Sequence, residues 1–302
     1  MPAYEFVTVD VFTDQRFGGN PLAVFPDARG LTDAQMQALA GEFNLSETTF
    51  VLPPDNPQNH ARVRIFTTRY ELPFAGHPNV GTGYVLAQRM DNPPEHLVFE
   101  ELAGIVRVHL LRGADGAIGG ARVSAPRALS IDIDIPRDLV AACAGLEPDE
   151  IATNAHTPLV ASVGIPFIIA EVASVEALSR ASPDLTAFRS GAAQYPDLAG
   201  HFALHLYARR DGDATRLRAR MFVPLGGMLE DPATGSANAA LAALLTSLAP
   251  GENVDLTYDI EQGIEMGRPS QVIATARKTA EGPVLATVAG SCVPVMRGSV
   301  EL

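Results

Sequence analysis

Glu230-Asp231-Pro232-Ala233-Thr234-Gly235-Ser236-Ala237 has a partial copy of itself in the first half of the chain. His77-Pro78-Asn79-Val80-Gly81-Thr82-Gly83 matches Asp231 through Ala237 position by position: a polar residue, Pro, two spacers, Gly, a hydroxyl and a small residue. The copies lie about half a chain apart, and a duplicated unit is the simplest account. Arg62-Val63-Arg64-Ile65-Phe66 leads into the first copy and Arg216-Leu217-Arg218-Ala219-Arg220-Met221-Phe222 into the second, each an alternating, strand-like run. Each copy then predicts a helix start, because Pro is favoured at the first helical position and the residue before it can cap. Asp231 is a standard capping residue. His77 is not, which marks it for chemistry. Two helix N-termini, each with unbonded N–H groups and a positive dipole end, are natural anion sites. If the halves face each other, one small acid is gripped by both.

Composition narrows the class. A length of 302 residues predicts two domains, and 47% apolar residues are ample for two cores. With 35 acidic against 22 basic side chains the formal charge is −13, which argues against nucleic acid as a partner. Cys143 and Cys292 do not make a secreted disulfide scaffold, and Met1-Pro2-Ala3-Tyr4-Glu5 lacks a signal sequence's basic and apolar regions, so the expected location is the cytoplasm. The most apolar stretch, 237–245, is far short of the roughly 20 residues a membrane span requires.

Along the chain, Phe6-Val7-Thr8-Val9-Asp10-Val11-Phe12 and Leu22-Ala23-Val24-Phe25 read as strands. Thr32 with Gln35 forms a capping box that opens a helix through Phe43, with Asn44 as the stop. Ser46-Glu47-Thr48-Thr49-Phe50-Val51 follows as a strand. Its peculiarity is Glu47, a carboxylate in a β-branched, half-buried setting; an edge-strand Glu facing water is the plain alternative. Helices are expected over 77–89 and 231–248. The second is apolar almost all round and rich in small residues, as a helix wrapped by a sheet would be. The boundary between halves falls near 126–136. Ile165-Pro166-Phe167-Ile168-Ile169 echoes Asn20-Pro21-Leu22-Ala23-Val24, and the order of elements repeats, so two similar α+β halves are the expected fold.

Several chemistries drop out. The seven histidines and two cysteines form no H-x-x-x-H or C-x-x-C, and His201 with His205 at a strand entrance would not converge on one metal. No G-x-G-x-x-G follows a strand, and no Walker lysine is present. Ser236, His77 and Asp231 make a triad on paper, yet no Gly-x-Ser-x-Gly elbow accompanies them, so the Ser236 hydroxyl is better placed to bind than to attack. What remains is Glu47, His77, Asp231 and Ser236 with two helix starts. An anion grip beside a carboxylate is the kit for moving a proton at carbon, the grip stabilising enol-like charge while the carboxylate shuttles the proton. A His at a helix N-terminus favours its neutral form. Local capping is the alternative role for His77 and for Asp231.

At these residues the chain resembles the PhzF-like family of phenazine-biosynthesis isomerases, within the diaminopimelate-epimerase-like superfamily. The resemblance rests on Val9-Asp10-Val11-Phe12 with Gly19-Asn20-Pro21-Leu22-Ala23-Val24, on Leu45-Ser46-Glu47-Thr48-Thr49-Phe50-Val51, on Glu71-Leu72-Pro73-Phe74-Ala75-Gly76-His77-Pro78, and on the stretch from Glu230 to Ala237, in that order. It implies an α+β fold of two pseudo-symmetric domains, each a curled, mostly antiparallel sheet around a central helix. These are expected over 1–127 and 128–302, with C-terminal strands that can cross back. It implies a cofactor-independent isomerase acting in an interdomain cleft on a small carboxylic acid, with Glu47 as acid/base. Ser46, Gly76, His77, Asp231, Gly235 and Ser236 would hold the substrate, and no metal is implied. A homodimer is implied as well. The superfamily's epimerases use a cysteine pair, whereas Cys143 and Cys292 lie outside every motif here. A racemase or epimerase of an amino or hydroxy acid, and a binding protein without turnover, are the alternatives.

Overall fold

The structure, a computed structural model, describes residues 2–302 and is mostly sheet with few helices. It divides into two compact units, one running through Pro126 and resuming at Val288–Leu302, the other formed by Arg127–Thr287.

In the first unit the strands are β1 (Ala3–Val11), β2 (Asn20–Phe25), β3 (Glu47–Leu52), β4 (Ala61–Phe66), the short β5 (Glu71–Leu72), β6 (His96–Glu101), β7 (Gly104–Arg112) and β8 (Ile118–Ser124). The helices are α1 (Asp33–Phe43) and α2 (Gly76–Ala87). β1 lies antiparallel between β2 and the last strand of the chain, Leu285–Glu301, so its first and final residues pair, Ala3 with Glu301 and Val11 with Cys292. β2 runs parallel to β3 and β3 antiparallel to β4. α1 forms as its capping box predicts: the Gln35 N–H donates to Thr32 Oγ1, the Thr32 N–H donates to Gln35 Oε1, and Asn44 closes the helix in the left-handed region.

β3 separates two packing layers by its alternation. Phe50 turns toward α1 and joins Phe25, Met36, Leu39 and Phe66 in one cluster. Thr49 turns the other way and shares a hydrogen bond of 2.8 Å with Thr82 of α2. α2 is buried along nearly its whole length, and its glycines make this possible. A Cβ on Gly81 would meet Leu22 at 2.6 Å, and one on Gly83 would meet Val108 at the same distance. α2 sits close against its sheet because no side chain fits at these two positions.

In the second unit the strands are β9 (Ser130–Asp134), β10 (Ile151–Ala152), β11 (Leu159–Ser162), β12 (Pro166–Val172), β13 (Leu204–Arg209), β14 (Arg216–Phe222), β15 (Glu230–Asp231), β16 (Val254–Gln262) and β17 (Ser270–Lys278). The helices are α3 (Arg137–Ala144), α4 (Val175–Arg180), α5 (Leu185–Gln194) and α6 (Gly235–Leu248). β12 is parallel to β13, and β13 is antiparallel to β14. Leu204 and Leu206 of β13 pack with Val140 of α3, Leu178 of α4 and Phe188 of α5. His205, pointing the other way, meets α6, with Nε2 3.2 Å from Asn238 Oδ1. α6 is buried from Ala237 through Thr246. Among the described residues no helix is long and apolar enough to cross a membrane.

Candidate active site

Glu47 opens β3 in register with Leu22 of β2, and β4 lies on the other side of β3 from Thr48 onward, so β3 is an interior strand. The edge-strand alternative therefore fails. Alternation places Glu47 on the same face as Thr49, the face that packs on α2. There its Oε2 lies 3.3 Å from His77 Nε2, with the Glu47 side chain 17% exposed and that of His77 5%. The approach is out of line for a hydrogen bond, and His77 Nε2 has no such partner. Burial drives the imidazole pKa down to about 3, so His77 is neutral across the physiological range. It does not cap its helix. It is the second residue of α2, whose N-cap Ala75 has no side chain that could accept from the first N–H groups.

The second unit departs from the reading of Asp231 as a helix cap. Asp231 is still paired to Met221 of β14, and α6 starts only at Gly235, with Thr234 as its N-cap. A residue held in a ladder cannot also open a helix. Instead the Asp231 carboxylate accepts from the Thr234 hydroxyl, and the Asp231 carbonyl accepts from Gln262 Nε2 at 2.9 Å. Ser236, like His77, is the second residue of its helix. The short strands shift the correspondence: Glu71–Leu72 matches Glu230–Asp231, Gly76 matches Gly235, and His77 matches Ser236 rather than Asp231.

The sequence reading missed the residues that fix these turns. Arg64 grips Glu71 through two nitrogens, at 2.7 and 2.6 Å, and lies over the Phe66 ring at 5.1 Å. Arg220 does the same to Glu230, at 2.9 and 2.7 Å, over Phe222 at 4.8 Å. The recurrence of Arg-x-Phe followed by a Glu was the available signal. Asn79 and Asn238 are fully buried beside the helix starts, and Gln262 bridges Asn238, Thr234 and Asp231. One asymmetry is chemical. Thr48 pairs with Phe66 and Leu204 with Phe222, so the position of Glu47 is taken in the second unit by Ala203. The carboxylate occurs once.

The two thiols lack the character of acid/base groups. Cys143 and Cys292 are both buried, and burial pushes the Cys143 thiol up to about 12 and that of Cys292 higher still.

Comparison with known proteins agrees with this architecture. The family described as phenazine biosynthesis-like protein matches residues 9–298. An uncharacterised isomerase of Mesorhizobium japonicum is 40% identical over 99% of both chains. The trans-2,3-dihydro-3-hydroxyanthranilate isomerase of Pseudomonas chlororaphis is 37% identical over 99% of this chain and 100% of its own. The crystal structure of a phenazine biosynthesis protein of the PhzF family from Bacillus anthracis superposes with a TM-score of 0.87 at 25% identity, covering 100% of each chain. The chain thus belongs to the phenazine biosynthesis-like, or PhzF, family. Its enzyme class follows from relatives at this identity over their full length: it is an isomerase.

Proposed function

We propose that this isomerase moves a proton at carbon on a small carboxylic acid, that Glu47 carries the proton, and that no cofactor takes part. The observation that carries the reading is the meeting of Glu47 with a neutral His77 at the start of a buried helix. A carboxylate at the mouth of a strand, shielded but not sealed, can take a proton from carbon and return it elsewhere on the same substrate. The neutral imidazole can offer one hydrogen bond to the anion that forms, and the Gly76 N–H at the α2 start favours the same charge. Asp231, Gly235 and Ser236 supply the rest of the grip, and Ser46 lies next to the base. The absence of a carboxylate at Ala203 supports a single acid/base that takes the proton and returns it on one face, which suits an allylic shift better than inversion. The inert thiols favour the same choice over a two-thiol epimerase.

The substrate class follows the relatives: a ring or chain carboxylic acid with an acidic C–H, of which trans-2,3-dihydro-3-hydroxyanthranilate is the compound to test first. The matching Arg–Glu grips and helix asparagines support two diverged copies of one unit, and the family supports a homodimer. The test is solvent-deuterium incorporation into candidate acids followed by NMR. Incorporation that depends on Glu47 supports the reading, and incorporation undiminished in Glu47→Gln ends it.

A further inference from the structure

Glu101 is the last residue of β6, and its neighbour Glu100 shows which way it faces. Glu100 points outward, accepting from the Asp55 and Asn56 N–H groups and from Asn59 Nδ2. Glu101 points inward, and both its carboxyl oxygens are shielded from solvent without a hydrogen-bond partner. The turn that follows is tied to the segment leading into α2, since the Ala103 N–H donates to the Pro73 carbonyl at 3.0 Å. The Asn79 side chain lies within reach of the Glu101 carboxyl. Asn79 commits Nδ2 to the Ala75 carbonyl at 3.0 Å, and its Oδ1 is buried with no donor.

The second unit has the same layout with every group satisfied. β16 ends in Gln262, as β6 ends in Glu101. Gln262 Oε1 accepts from Asn238 Nδ2 at 2.7 Å and from the Thr234 N–H at 3.2 Å, while Nε2 donates to the Asp231 carbonyl. An amide does this because it has one donor side and one acceptor side. A carboxylate has only acceptors, so it can offer nothing to Asn79 Oδ1, which is buried with no donor. A neutral carboxylic acid again has one donor and one acceptor.

We propose that Glu101 is a positioning residue of the active site, a carboxylic acid kept neutral so that it can hold Asn79, and through it the α2 start with Gly76 and His77, as Gln262 holds α6. The relevance to catalysis rests on the reading of the α2 start given above; the protonation itself does not. Burial raises the Glu101 pKa to about 8, the Asn79 side chain opposes the rise, and no charged side chain contributes. The proton is therefore held at neutral pH and lost as the pH passes 8.

The test measures exchange or turnover of trans-2,3-dihydro-3-hydroxyanthranilate from pH 6 to 9.5 in the full-length parent, Glu101→Gln and Glu101→Ala. Glu101→Gln restores donor and acceptor, so it should keep the neutral rate within about threefold and lack the alkaline fall, whereas the parent at pH 9 should retain about one tenth of its neutral rate. Glu101→Ala should lose roughly 10- to 100-fold in kcat at every pH. An independent readout is the protonated-carboxyl band in infrared difference spectra of the parent at pH 7, lost in Glu101→Gln. A parent carboxyl that is already ionised at pH 7 overturns the proposal, as does a Glu101→Gln enzyme that is slow at neutral pH or keeps the alkaline fall. Should Glu47→Gln prove fully active, the site reading fails, while the infrared band still decides whether Glu101 is neutral.

Discussion

Asn79 and Asn238 make the same bond in different units: each sends Nδ2 to the carbonyl of its helix's N-cap residue, Ala75 at 3.0 Å and Thr234 at 3.1 Å. Their surroundings differ in how much depends on them. Asn238 also serves His205 and Gln262, so its removal strands several buried polar atoms. Asn79→Ala should cost about 1–2 kcal/mol and Asn238→Ala clearly more, as urea unfolding would read. Equal losses would count against the bridging role of Gln262.

Glu47→Gln keeps size and much of the polarity while removing the base. Turnover should fall roughly 10²–10⁴-fold with ligand affinity nearly unchanged, measured by deuterium incorporation alongside calorimetric binding. A variant that melts earlier but turns over normally would make Glu47 a structural residue.

His77 and His205 are buried neutral, with pKa values driven down to about 3 and about 4. Unfolding restores both to about 6.5. The unfolded chain therefore binds protons first as the pH drops, and the stability that is full above about 6.5 is lost progressively toward the folded values. His77→Gln should flatten part of this acid slope in a melting series from pH 7 to 4. His77 ring resonances should not titrate between pH 5 and 8; a midpoint near 6.5 would refute the buried, neutral assignment.

Asp231→Asn and Asp231→Ala separate two roles. Both remove the charge, but Asn can still accept from the Thr234 hydroxyl. Asp231→Ala should lose about 1 kcal/mol more stability than Asp231→Asn, while both weaken substrate binding in titration calorimetry. Unchanged affinity in both would remove Asp231 from the grip.

Gly81→Ala places a methyl 2.6 Å from Leu22 and 2.8 Å from Val11. Overpacking of this kind should cost about 1–3 kcal/mol in thermal unfolding. A neutral outcome would mean that β1 and β2 yield more readily than their packing indicates.

Much of this was legible from local chemistry. The capping box of α1, the alternation of β1, the strand character of β2 and β3, the oddity of Glu47 in its strand and the two helix-start stretches all depend on near neighbours in sequence. The register of the second stretch was not legible, because Asp231 is held by its ladder partner Met221, and capping propensity cannot see a ladder. Pairing Pro with Pro looked natural, yet the matching helices begin at Gly76 and Gly235. Glu101 and Gln262 were invisible for the same reason: each acts at a helix start far behind it in the chain.

The pairing of β1 with the final strand, Ala3 with Glu301 through Val11 with Cys292, also sets an order of events during synthesis. The first unit lacks one flank of β1 until residues 292–301 are made, whereas the unit of Arg127–Thr287 is continuous and can close without them. A nascent chain halted near 287 would present β1 as an open edge, a template for pairing with other chains. Chaperone demand should accordingly persist until residues 292–301 have emerged and docked on β1.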